Sequence, residues 1–163
     1  MEISGLDFLD IQLQRLVLGL VSAAAQNVKG FPQLAPVAFL DSAAGVMPIL
    51  LDLGGGAEKD ATVAALRDLG QKYKSRYIFS VIESWTILDE EAVKDYLTGK
   101  YQRVSEHPKA IKAVMMALET RDSGSYIAVV RIGANRVLDP KVEFMDATRS
   151  SGRFTNLLPK IFH

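Results

Sequence analysis

Leu6, Leu9, Leu13, Leu16 and Leu20 recur with alternating three- and four-residue steps, the period of one helix face, and predict a long N-terminal helix. Ser4 or Asp7 is a candidate cap for its start. A narrower stripe of Gln12, Arg15, Gly19, Ser22 and Gln26 follows another face, while Ile11, Leu18, Val21 and Ala25 widen the apolar surface. Such a helix is mostly covered. It is either a core helix of the domain or a pairing helix of a homodimer, in the manner of a short coiled-coil seam.

The pattern then changes period. Lys29-Gly30-Phe31-Pro32 ends the helix, and two short apolar runs follow, Pro36 to Asp41 and Val46 to Asp52, separated by the small residues Ser42 to Gly45. This predicts a hairpin, with Pro48 placing its second strand at a sheet edge or bulge. After Gly54-Gly55-Gly56, residues Ala57 to Tyr73 predict a second helix with Thr62, Leu66, Leu69 and Tyr73 inward and Gly70 as an early stop.

Arg76 to Thr86 reads as a strand whose alternation puts Tyr77, Phe79, Val81, Glu83 and Trp85 on one face. An acid among such neighbours is exposed, paired or functional, and Arg131 and Arg121 are the partners expected if it is buried. Asp89 to Gly99 has an N-cap, first-turn acids, a Val93/Tyr96/Leu97 stripe and a closing glycine, and predicts a short helix. Lys100 to Pro108 is a polar loop.

Ala110 to Thr120 has helix-forming composition, yet it runs into Asp122-Ser123-Gly124 and the apolar run Tyr126 to Ile132, so a strand, tight turn and strand is the expected arrangement. Beyond the Gly133 to Asn135 turn, Arg136 to Leu138 and Val142 to Met145 predict short edge strands around Asp139-Pro140. The polar stretch from Thr148 begins a tail, residues 148–163, expected to be mobile. The fold class is α+β, one domain over 1–163, with a largely antiparallel sheet of about five to seven strands and three helices against it.

Length and composition narrow the chemistry. A chain of 163 residues buries roughly two-thirds of its unfolded surface without cross-links. Having no cysteine, it can form no disulfide framework, Cys-containing zinc site or cysteine nucleophile, and a cytoplasmic location is expected. No run approaches the roughly 20 apolar residues of a membrane span. Ala23-Ala24-Ala25 resembles a signal-peptidase site, but Glu2, Asp7 and Asp10 stand where a signal peptide carries positive charge, so none is expected. Net charge is zero, although residues 1–71 hold 4 basic and 8 acidic side chains and residues 72–163 hold 15 and 11. That asymmetry suits contact between the two parts, or between subunits, as well as it suits an anionic partner.

Candidate sites are few. Gly54-Gly55-Gly56 precedes a helix, but it fits neither phosphate-loop pattern, and Glu58 and Asp60 oppose an anion there. Asp41, Asp52, Glu83, Glu106, His107 and Glu119 are the available metal-ligand types, of which Glu83 and Glu119 lie near the ends of strands expected to be neighbours. Glu106-His107 is a possible acid/base pair, with Ser105 or Ser84 as a distant nucleophile, in no recognisable hydrolase context. Lys72 to Tyr77 and Lys100 to Arg103 mix cations with aromatics, the ingredients of nucleic-acid contact, yet both have ordinary structural explanations.

The expectation is a noncatalytic interaction or structural domain acting as a homo-oligomer through its N-terminal helix, with no cofactor or bound metal. The alternatives are a small hydrolase or transferase using Glu83, Glu119 and His107, and an accessory nucleic-acid-binding protein. The sequence names no small-molecule ligand.

Overall fold

A computed structural model describes residues 1–54 and 56–147. The elements are β1 (Glu2–Ser4), α1 (Ile11–Gly30), β2 (Val37–Ser42), β3 (Gly45–Leu50), α2 (Gly56–Lys72), β4 (Tyr77–Thr86), α3 (Glu90–Leu97), β5 (Ile111–Thr120), β6 (Ser125–Arg131), β7 (Lys141–Glu143) and β8 (Met145–Asp146). Six strands form an antiparallel sheet in the order β3-β2-β4-β5-β6-β8, and β1 pairs with β7 in a small parallel ribbon. The fold is α+β, with the strand reading of Ala110 to Thr120 upheld at Ile111–Thr120. The tail expected at 148–163 lies outside the described residues.

Alternation along the central strands builds two cores. Phe79, Val81, Val114, Met116, Leu118, Ala128 and Val130 face one side, where Val17, Val21, Ala24 and Val28 of α1 cover them. Ile78, Ile82, Met115 and Ile127 face the other, covered by Leu66 of α2. With α1 and α2 on opposite faces, both sides of β4 are buried from Tyr77 to Ile82.

The start of α1 departs from expectation. Neither Ser4 nor Asp7 caps it; Asp10 does, its Oδ1 accepting from the Gln12 and Leu13 N–H groups at 3.0 Å each. Ser4 is taken by β1, where its carbonyl accepts from Phe144 N–H. Gly5 then turns the chain at φ +85°, and a Cβ there would stand 1.9 Å from the Phe144 carbonyl oxygen. Leu6 and Leu9 are buried as predicted, but from this turn rather than from the helix.

Further along, α2 runs through Gly70 and ends before Lys74, which takes φ 49°. Its buried apolar side chains are Val63 and Leu66, with Leu69 packed partly buried against the same core as expected, while Tyr73 is 38% exposed. Arg136 to Leu138 is not a strand. Ala134–Arg136 forms a 3₁₀ turn with Asn135 at φ 55°, leaving only an isolated Ile132 to Leu138 bridge. The expected strand at Val142 to Met145 is split, β7 joining β1 and β8 joining β6.

Pro48 lies on the edge strand as its chemistry requires. Leu51 N–H donates to the Pro36 carbonyl at 2.9 Å, so ladder alternation turns Gly45, Met47 and Ile49 toward β2 and Val46, Pro48 and Leu50 toward the free edge. The missing N–H therefore costs no ladder bond.

Candidate functional site

Glu83 is buried and paired. Its side chain is 2% exposed on the α1 side of β4, and Arg136 grips it with Nη1 to Oε1 at 3.1 Å and Nη2 to Oε2 at 2.7 Å. Leu34 N–H donates to Oε2 at 2.8 Å, and Lys112 Nζ stands 3.6 Å from Oε1. Burial raises the carboxyl pKa, but the bonds from Arg136 and Leu34 together with Lys112 outweigh it and hold the group below its ordinary value. Arg136 also donates through Nε to the Val28 carbonyl near the end of α1 at 2.8 Å. The node thus joins β4, α1, the following loop and the 3₁₀ turn.

The expected partners are placed elsewhere. Arg131 follows Val130 on β6 and faces the opposite side of the sheet, while Arg121 donates to the Ser75 carbonyl at the other end of β4. A two-pronged guanidinium, all its acceptors buried beside it, leaves Glu83 no lone pair aimed at open water. Its role in this geometry is to position backbone.

Glu119 and His107 do not join it. Glu119 lies opposite Ile78 on β5, whereas Glu83 lies opposite Val114, so alternation puts them on opposite faces and five positions apart, roughly 16 Å along the strand. His107 belongs to the other end of the molecule from Glu119, next to α3. Lys109 N–H donates to its Nδ1 at 3.0 Å, which places the ring proton on Nε2, bonded to Asp95 Oδ2 at 2.8 Å. Tyr101 closes over the ring edge at 4.9 Å between centroids. Both nitrogens are engaged in holding the loop against α3.

The remaining acids have local tasks. Asp52 accepts from Gly54 N–H, and Glu106 accepts from the Gln102 and Arg103 N–H groups. Among the described residues no three His, Asp or Glu side chains gather as metal ligands. The glycine-rich step includes Gly55, outside the described residues. The two basic and aromatic stretches lie at opposite ends of β4, with Lys72 over Tyr73 and Lys100 over Tyr101, so they do not form one continuous surface.

A groove that the sequence did not announce lies at the Tyr77 end. Its volume is about 250 Å³, between the first turns of α1 (Asp10, Leu13, Leu16) and the row Tyr77, Asp41, Val46. Arg76 closes one side, its Nε 2.7 Å from Asp41 Oδ2, and this bond holds the Asp41 carboxyl below its ordinary pKa against the opposing effect of burial. Tyr77 is 4% exposed and its hydroxyl makes no hydrogen bond among the described residues. Burial, reinforced by Asp41, pushes that phenol up to about 12. The one sequence signal was parity: alternation put Tyr77 on one face with Phe79 and Val81, without showing that α1 covers that face and leaves a gap there.

Apolar side chains remain outside both cores. On α1, Ile11 is 60% and Leu18 44% exposed, with Phe8 at 84% just before the helix. Val93 and Leu97, read from the sequence as the inner stripe of α3, also face water, and Ala92 is the buried contact instead. No helix among the described residues is long and apolar enough to cross a membrane. No family model, curated protein or solved structure matches the chain.

Proposed function

We propose that this protein is a noncatalytic interaction domain that works as a homo-oligomer through α1. The observation that carries the reading is the exposed flank of that helix. Ile11 and Leu18 lie seven residues, two turns, apart on one line, beside the face that Val17, Val21, Ala24 and Val28 bury in the protein's own core. Phe8, just before the helix, is a third large apolar side chain in water. A stripe of this kind is self-complementary under a two-fold axis, since antiparallel pairing brings Ile11 of each copy to Leu18 of the other.

The hydrolase alternative has less support, because Glu83, Glu119 and His107 stand apart and two of the three are spent on holding backbone or helix in place. Light scattering over a wide concentration range tests the leading reading. We expect a dimer that Ile11→Glu and Leu18→Glu weaken by about tenfold or more each. A monomer at every concentration would sink it.

A further inference from the structure

The helix α3 is lightly attached to the rest of the fold. Ala92 is its one buried side chain, with Tyr96 half-buried, while Val93 and Leu97 face water. Asp89 and Asp95 both reach to the loop ahead of β5. Lys109 Nζ meets Asp89 Oδ2 at 3.3 Å with both side chains about half in water, so that bond is screened and weak. Asp95 meets His107, whose side chain is only 5% exposed.

His107 has a hydrogen-bonding task that only the neutral ring performs. Its Nδ1 accepts from the Lys109 N–H at 3.0 Å while its Nε2–H donates to Asp95 at 2.8 Å, so the ring is acceptor and donor at once. The same turn is closed by the Ala110 N–H, which donates to the His107 carbonyl at 2.9 Å one residue before β5 begins. A proton taken from solvent onto Nδ1 converts the acceptor into a donor. Two N–H groups then point at each other, and the Lys109 bond is lost.

The surroundings decide whether the charged ring can stay. Asp95 attracts it, but that carboxylate is half-exposed and screened, whereas the ring sits where burial disfavours charge. Within the loop, Tyr101 packs on the ring edge with Lys100 over its other neighbours, and Glu106 is engaged by the Gln102 and Arg103 N–H groups. The Val104–Glu106 turn packs on β4, whose only acid, Glu83, is held by Arg136 and faced by Lys112 of β5. The lost bond and the buried charge therefore outweigh the gain at Asp95.

We propose that His107 is an acid-sensitive latch for α3. The neutral ring holds the loop against the helix, and a second ring proton releases both. Release adds Ala92 to the apolar side chains, Val93 and Leu97, that α3 already shows to water.

Amide hydrogen exchange of the full-length protein, followed by NMR at about pH 7.5 and about pH 5.5 and corrected for intrinsic rates, tests the latch. Protection of the Lys109 N–H, and of the Val93 N–H that donates to the Asp89 carbonyl, should fall about tenfold or more at the lower pH. Val81 and Met116, paired in the central strands, should keep theirs. The ring nitrogen shifts of His107 should report its protonation over the same interval. A ring that charges while Lys109 stays protected, or that stays neutral at the lower pH, would overturn the proposal. His107→Gln supplies one acceptor and one donor and cannot be charged, so its Lys109 protection should hold at both pH values. An equal loss in that variant would assign the acid effect to another group, such as His163, and overturn the proposal too. The wild-type comparison of ring and amide stands by itself should the variant misfold by circular dichroism.

Discussion

The two ends of β4 each hold a carboxylate clasped by a guanidinium, and the pairs differ in what surrounds them. At the Tyr77 end Asp41 holds Arg76, whose side chain is 73% exposed. At the Trp85 end Glu83 is 2% exposed and Arg136 23%. Water screens the first pair and competes for its bonds, so it contributes little. The second has been stripped of water, and each partner now depends on the other. The same chemistry pins a hairpin at one end and locks four segments together at the other.

The largest expected effect comes from breaking the buried pair. Arg136→Met leaves a buried carboxylate with only Lys112 at 3.6 Å and the Leu34 N–H, and should lower unfolding free energy in urea by about 3 kcal/mol or more. Next is Glu83→Gln, which keeps the shape and an acceptor for Leu34 but removes the charge, for about 2 kcal/mol. A loss under half a kcal/mol for either would put the two nodes on the same footing.

Smaller still is Asp41→Asn. With Arg76 largely in water it should cost about 1 kcal/mol or less, and 1 M salt, with a screening length of about 3 Å, should erase much of that difference while leaving the Glu83 effect in place. Acid separates the pairs from the rest of the molecule. Both carboxyls have folded-state pKa values below their ordinary 4.5 for Glu83 and 3.8 for Asp41, so each contributes fully above those values and loses its contribution as pH falls through the lower folded value. The gap between wild type and Glu83→Gln should therefore close on acidification, which urea titrations from neutral pH downward would show. The smallest effect on stability belongs to Pro48→Thr, near zero by urea unfolding. It restores an outward N–H to the free edge, however, and should raise concentration-dependent aggregation seen by turbidity.

Much of this architecture could be read locally. Period-two alternation from Tyr77 to Trp85 put Glu83 on the aromatic face, and Pro48 marked the edge strand, because both signals reside in a few adjacent residues. What failed was non-local. The parallel pairing of Glu2–Ser4 with Lys141–Glu143 joins segments at far-separated positions, with no alternation long enough to announce either. Arg136 was read as part of a short strand, and nothing near it in the chain signals a partner 53 residues away. The Val93/Leu97 stripe misled for another reason: helical spacing shows that two residues share a face but not whether anything covers it.

Val28, Leu34, Glu83 and Arg136 meet at one node only after α1, its loop, β4 and the turn beyond β6 have all come to rest. Such a junction closes late in assembly and must open early in its reversal. Its contribution should then appear in the lifetime of the native state rather than in the speed of reaching it, with Arg136→Met accelerating unfolding in stopped-flow chevrons while refolding barely changes.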